Sequence, residues 1–365
     1  MGLNLLVFCL KFKVILPMMI AAFIPEGRMQ EPYMNLAING FGRIGRGILR
    51  AALEQNRLQE IVAIHDFASV QASAHLLKYD SIFGRLKQPV EFTRDSLKVG
   101  NHSILYLHKI TDFTFPWKDL SVDVVLECTG KLTDTGSCTK HLDAGARRVL
   151  LSAPAKDKEI KTLVYGVNHQ HYQPQTDRIV SNASCTTNCL APIVHVLNKE
   201  FGVERAMMTT VHSYTNDQRI LDTDHSDLRR ARAAAMNIIP TTTGAARVVG
   251  KVIPELSGKI DGFALRVPTA DVSFVDCVAL LRKPATPQTL NQTFREYAHG
   301  SLKGILDITD EPIVSSDLIG STYSSVVDAG LTMTLGETLV KICSWYDNEY
   351  GFCNRMLDMS SYMTQ

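Results

Sequence analysis

The chain has 365 residues, with 38 lysines and arginines against 37 aspartates and glutamates. That length accommodates two domains of ordinary size, and the near-zero net charge excludes the strongly basic field on which nucleic-acid binding proteins depend. Eight cysteines, Cys9, Cys128, Cys138, Cys185, Cys189, Cys277, Cys343 and Cys353, are scattered without a CxxC pair, which excludes a dense disulfide framework, gives no ligand set for a metal, and indicates reduced thiols in a cytoplasm.

Residues 1–33 differ from the rest. Two apolar runs, 3–10 and 14–24, flank Lys11-Phe12-Lys13. Neither reaches the roughly 18 to 20 residues of a membrane span, and an apolar stretch ahead of the lysines is the wrong order for a secretory signal. The expectation is an upstream extension outside the fold, with no membrane partner.

From Met34 to about Ser181, short apolar runs alternate with helical patterns, the layout of a doubly wound parallel sheet. Strands are expected at 35–38, 60–65, 122–127 and 149–152, with a helix at 43–56. Gly40-Phe41-Gly42-Arg43-Ile44-Gly45 links the first strand to that helix in GxGxxG spacing. Its glycines permit a tight turn, close approach of a pyrophosphate and close helix packing, and the helix N-terminus faces the phosphates. Asp66 ends the second strand 24 residues beyond Gly42. A carboxylate there accepts ribose hydroxyls and repels a 2′-phosphate, which points to NAD as cofactor. Thr129-Gly130 and Ser152 follow later strands, at carboxyl ends that line the crevice of such a sheet.

A helix is expected to begin at Cys185, within Ser184-Cys185-Thr186-Thr187-Asn188-Cys189. The positive end of its dipole favours a thiolate, whereas Cys189 lies one turn deeper and reads as packing. After about Phe201, longer β-like runs at 206–211, 263–267 and 272–281 suit an α+β domain with a mostly antiparallel sheet. His212 ends the first of these runs and is a residue type that accepts and returns protons, although spacing alone does not bring it to Cys185. The polar, arginine-rich stretch 213–237 reads as a long ordered loop of functional kind.

Taken together, the glycine motif, residues 181–189, His212-Ser213-Tyr214-Thr215-Asn216-Asp217 and Trp345-Tyr346-Asp347-Asn348-Glu349 resemble the glyceraldehyde-3-phosphate dehydrogenases of bacterial type, in order from Met34 to the C-terminus. The resemblance implies a Rossmann NAD-binding domain over 34–184, joined by a C-terminal helix at about 348–365, and a catalytic domain over 185–347. It implies phosphorylating oxidation of glyceraldehyde 3-phosphate in the cytoplasm, by a homotetramer, with Cys185 as nucleophile and His212 as its base. Arg43, Ile44, Asp66, Ser152 and Asn348 match cofactor contacts. Thr215 and Arg266 match the substrate-phosphate site; Ser184, Thr186, Arg230, Thr243 and Gly244 match the inorganic-phosphate site, a role that suits arginine forks, hydroxyls and backbone amides. Arg230 has a competing reading as part of a subunit-interface salt bridge. Three positions depart from the family pattern: Ile110 replaces an adenine-side arginine, Thr223-Asp224 stands in place of the Leu-Pro of NAD-specific members, and Ser226 replaces a lysine. Erythrose-4-phosphate dehydrogenase is the enzymatic alternative. A non-catalytic or surface-displayed binding homologue is the alternative of another class.

Overall fold

The computed structural model describes residues 34–365, so the extension expected over 1–33 lies outside the described residues. The described chain groups into two compact units. One comprises 34–80, 84–149 and Thr364; the other comprises 81–83, 150–363 and Gln365.

In the first unit the strands are β1 (Leu36–Asn39), β2 (Ile61–Asp66), the short hairpin β3 (Tyr79–Asp80) and β4 (Gly84–Arg85), β5 (Val90–Phe92), β6 (Ser96–Val99), β7 (His102–His108), β8 (Val124–Glu127) and β9 (Arg148–Leu151). The helices are α1 (Arg43–Glu54), α2 (Val70–Lys78) and α3 (Thr135–Asp143). Apart from the β3–β4 hairpin, these strands belong to a nine-stranded sheet, in which they run in the order β9-β8-β1-β2-β7-β6-β5. Every residue of β1 and β8 is buried, which is why these segments read as continuous apolar runs rather than as alternating ones. β1 pairs in parallel with both β2 and β8. The chain therefore leaves β1 in one direction and returns on its other side, and the carboxyl ends of β1 and β8 form the switch point at which such sheets bind ligands. Beyond β7 the pairing turns antiparallel, through β6 to the edge strand β5.

The second unit opens with a parallel pair, β10 (Lys161–Thr162) and β11 (Ile179–Ser181). There follow α4 (Cys185–Glu200), β12 (Val203–Ser213), β13 (Ile239–Thr242), α5 (Ala245–Val252), β14 (Ile260–Val267), β15 (Ser273–Leu281), α6 (Pro287–His299), β16 (Leu306–Thr309), β17 (Ser325–Asp328), β18 (Met333–Leu335), β19 (Leu339–Tyr346) and α7 (Tyr350–Thr364). Its main sheet runs β13-β14-β12-β15-β19-β17-β16, with β18 on β19. Most pairs are antiparallel, and β12–β14 and β16–β17 are parallel. Leu190, Ile193, Val194 and Leu197 of α4 are buried in one cluster with Met208, Val275, Cys277 and Ile342 of the sheet. This burial, at roughly 1.5 to 3 kcal/mol for each large apolar side chain, anchors the helix whose first residue is Cys185. The sheet's alternate residues include Met207, 75% exposed, and Phe263, 47% exposed.

Candidate active site

The thiol is placed by a strand-turn-helix passage. β11 ends at Ser181, whose Oγ accepts from Ala183 N at 3.1 Å, and Ala183 adopts φ 59°. Ser184 then caps α4, its Oγ accepting from Thr187 N at 3.1 Å, while Asn188 Nδ2 donates to Asn182 O at 2.8 Å and to Ser184 O at 3.0 Å. Cys185 becomes the first residue of the helix. Its neighbour one turn on, Cys189, is fully buried, with its thiol pushed up to about 12 by burial.

The tertiary structure brings His212 to it: Sγ lies 3.5 Å from Nε2. Nδ1 lies 2.7 Å from Ser213 O, and Arg266 Nη1 lies 2.8 Å from Nδ1 and 3.0 Å from Ser213 O. In the tautomer whose Nδ1–H donates to Ser213 O, Nε2 is free to take the thiol proton. Burial first, then the Arg266 charge, lowers the imidazole to about 3. The ring is a neutral base throughout the physiological range, not a group poised near its ordinary value. Cys185 also differs from the simple expectation. Burial raises its thiol above the ordinary value, opposed by the Arg266 charge and by hydrogen bonds at Thr186 and at its own backbone amide. Desolvation therefore outweighs the helix terminus and the cation at this thiol.

Tyr346, absent from the sequence-derived site, closes one wall. Its hydroxyl bonds Thr186 Oγ1 and Thr210 Oγ1, each at 2.9 Å, and its ring meets His212 edge-on at 5.9 Å between centroids. It lies in the block Trp345-Tyr346-Asp347-Asn348-Glu349, but nothing in its spacing shows that β19 carries it to the ring. Asn348 Oδ1 accepts from Ser273 Oγ at 2.7 Å, and Ser273 Oγ accepts from Ser213 N at 3.1 Å. A polar chain thus runs from Asn348 to the residue next to His212.

Among the expected anion ligands, Arg266 is at the thiol and the ring. Arg230 acts electrostatically on both His212 and Arg266, yet its guanidinium is engaged within the chain: it pairs with Asp217, lies 3.6 Å from Asp227 and donates to Thr241 Oγ1 at 2.9 Å. Thr215 N donates to Gln218 Oε1 at 3.3 Å, and Thr243 Oγ1 accepts from Ala245 N at 3.2 Å. Gly244 leaves open space where a Cβ would stand.

In the first unit the glycine turn has the shape of a dinucleotide cradle. Gly40 has φ +93°, and a Cβ there would meet Thr129 N at 2.7 Å; at Gly45 it would meet Gly40 O at 2.2 Å; at Gly42 nothing lies within 4 Å. α1 starts with no side chain capping it from Gly42. Asp66 is tied to that turn, accepting from Phe41 N at 2.5 Å and from Ala68 N at 2.7 Å. Arg43 pairs with Asp80. Thr129 donates to Glu127 through its amide at 2.8 Å and through its hydroxyl, and Gly130 is open above. Ser152 and Ile44 are half-buried. The cradle fits NAD. Sequence reasoning missed His65, which is buried beneath it: its Nε2 accepts from Ile110 N at 3.2 Å, so Nδ1–H donates to Asn39 Oδ1 at 2.5 Å, and Asn39 Nδ2 donates to Glu127. The backbone at Ile110, where a side-chain contact is missing, is thus anchored from below. Thr223, Asp224 and Ser226 are exposed in the loop, where Arg219 Nε donates to Asp224 O at 2.9 Å.

The family model for the NAD binding domain of glyceraldehyde 3-phosphate dehydrogenase matches residues 34–135, and that for its C-terminal domain matches 184–348. The chain belongs to the glyceraldehyde-3-phosphate dehydrogenase family. It is an NAD-dependent oxidoreductase with a Rossmann domain and a family catalytic domain. Glyceraldehyde-3-phosphate dehydrogenase 1 of Bacillus cereus is 51% identical over 329 residues, covering 90% of this chain and 98% of the relative. The Geobacillus stearothermophilus dehydrogenase is 51% identical over 330 residues, with the same coverage. The chloroplastic A form of Chlamydomonas reinhardtii is 49% identical over 332 residues, covering 90% of this chain and 88% of its own.

Proposed function

We propose that the chain oxidises D-glyceraldehyde 3-phosphate to 1,3-bisphosphoglycerate in glycolysis and gluconeogenesis, with the acyl group carried on Cys185. The 3.5 Å approach of Cys185 Sγ to His212 Nε2, with Arg266 against the ring, carries this reading. His212 Nε2 takes the thiol proton as Sγ attacks the aldehyde carbon. The resulting oxyanion of the hemithioacetal faces the Cys185 amide and the protonated ring. NAD, held by Gly40, Gly42, Arg43, Ile44, Asp66, Thr129, Gly130, Ser152 and Asn348, supplies the acceptor for the hydride that leaves this carbon. The protonated His212 gives its proton to the oxyanion to form the hemithioacetal hydroxyl and takes it back as the C–H bond breaks, which leaves a thioester on Sγ. An oxygen of inorganic phosphate then attacks the thioester carbonyl, the C–S bond breaks and the thiolate leaves.

Arg266 and Thr215 anchor the substrate phosphate in this proposal. Ser184, Thr186, Thr243, Gly244 and Arg230 receive inorganic phosphate, with Arg230 exchanging its Asp217 and Asp227 partners for the anion. The C-terminal family model begins at residue 184, which supports a functional division between 34–184, with the C-terminal helix, and 185–347. A homotetramer is supported by exposed apolar side chains on the 213–238 segment, Ile220 at 85%, Leu228 at 81% and Met236 at 79%, since such patches usually mark association surfaces. The described cysteines are all free thiols, which supports a cytoplasmic setting.

The test is NAD reduction with glyceraldehyde 3-phosphate, with phosphate present or omitted. Sustained turnover should require phosphate, and Cys185→Ser should bind NAD but lose turnover by at least about a thousandfold, as loss of a covalent nucleophile does. Appreciable phosphate-dependent turnover by that variant refutes the assignment, and a larger kcat/KM for erythrose 4-phosphate would transfer the chain to the alternative substrate.

A further inference from the structure

Asp271 and Asp347 form a carboxyl pair that the mechanism above does not use. They are 3% and 1% exposed, and their side chains meet. Asp347 has three of its acceptor positions taken by backbone donors, which leaves one on Oδ2: Oδ1 accepts from Glu349 N at 2.9 Å and from Tyr350 N at 2.6 Å, and Oδ2 accepts from Gly320 N at 2.8 Å. It is therefore built as the ionised member. Neither oxygen of the Asp271 carboxyl has a well-formed hydrogen bond, the Val272 amide acting on it less than burial and the neighbouring carboxylates do, so its way of satisfying burial is to carry a proton and donate it to Asp347. The other charge facing the pair is Glu349, of the same sign. Among the described residues no cation pairs with either member.

The position of this pair gives it a consequence. Asp347 precedes Asn348, and Asp271 lies two residues before Ser273, the partner of Asn348 at 2.7 Å. Val272, between them, is held at φ 62°, a left-handed conformation that a β-branched residue adopts only under strain. Ser213 Oγ donates to Val272 O at 2.8 Å, so the strained turn is fastened to the residue that follows His212.

We propose that Asp271 holds, at neutral pH, the single proton of a buried carboxyl pair with Asp347, and that this proton keeps Asn348 and Ser273 aligned for the nicotinamide end of the cofactor. Asp271 is a positioning residue, and its role rests on the reading of Asn348 as a cofactor contact. Burial first, then Asp347 and Glu349, raises the Asp271 carboxyl to about 8. Above that pH two like charges meet in a closed space, and the junction that carries Asn348 is pushed apart.

Infrared spectra and equilibrium NAD binding between pH 6.5 and 9.5 test this in wild type, Asp271→Asn and Asn348→Ala. Wild type at pH 7 should show the carbonyl stretch of a protonated carboxylic acid that fades at alkaline pH and is missing from Asp271→Asn. Wild-type NAD affinity should fall by up to about tenfold per pH unit above the titration, whereas Asp271→Asn, whose amide donates at every pH, should stay level. A carboxylic-acid band that persists in Asp271→Asn overturns the proton assignment. Parallel alkaline loss of affinity in both proteins overturns the positioning role. Unchanged NAD affinity in Asn348→Ala at pH 7 overturns the cofactor reading of Asn348 and the alignment that depends on it, while the infrared result still decides where the proton sits.

Discussion

Arg266 sets the electrostatics of Cys185 and His212 at once. Its charge favours the Cys185 thiolate and disfavours the His212 imidazolium, so replacing it should move both groups upward in pH. A cation within about 4 to 6 Å is worth about one to three pKa units to an ionising neighbour. Arg266→Gln should therefore slow iodoacetamide alkylation of Cys185 by about tenfold or more between pH 7 and 8, because the thiolate fraction below a thiol pKa falls tenfold for each unit by which that pKa rises. An unchanged alkylation profile would remove Arg266 from this role. The choice of Cys185 over Cys189 was legible in the sequence, because position one of a helix and position five are distinguishable by counting residues. The direction of the thiol's shift was not. Helix polarity pointed down, and only the packing around Sγ shows that desolvation is the larger effect.

At the scale of elements, the glycine turn separates two demands that the motif alone presents as one. Gly45 has no room for a methyl group, since its Cβ would lie 2.2 Å from Gly40 O, whereas Gly42 faces open space. Gly45→Ala should accordingly cost about 1 to 3 kcal/mol of stability, the range for overpacking, along with cofactor binding. Gly42→Ala should melt like wild type and lose NAD affinity. Thermal melts and NAD titrations of the two variants check this, and equal melting temperatures would sink the packing argument for Gly45. The parallel strands were readable from their apolar runs, because burial on both faces leaves no alternation. The 213–237 loop was readable only as irregular. Its partners, such as Arg230 with Asp217 and Asp227, form between residues with no periodic relation.

Across the whole molecule, buried titrating groups of opposite kind bound the pH range of stability. His212 and His65 are lowered to about 3 and about 4, chiefly by burial, and the half-buried His169 and His195 are lowered by the same cause. Each takes up a proton in the unfolded chain near pH 6.5 and refuses it in the folded one, so stability falls as pH drops below that value. Asp271 is raised. Between its unfolded and folded values the folded chain holds the extra proton, so stability falls as pH rises from about 4 toward 8. Each such group contributes a slope of at most about 1.4 kcal/mol per pH unit within its window. Between pH 6.5 and 8 the carboxyl acts with the histidines silent, and melting temperature should decline. Asp271→Asn should flatten that decline and leave the acid limb intact. A decline of equal slope in the variant would show that another group controls it.

The sequence by itself determined the α/β class and the family and singled out the glycine turn and Cys185, because each rests on residues close together in the chain or on blocks read in order. Tertiary structure decided what those residues meet. It placed His212 3.5 Å from Cys185 across 27 positions of sequence, set Tyr346 edge-on to the ring, set His65 beneath the glycine turn and closed Asp271 against Asp347. The physical reason is that desolvation and charge coupling depend on distance and burial in space, and neither quantity has a signature in local spacing.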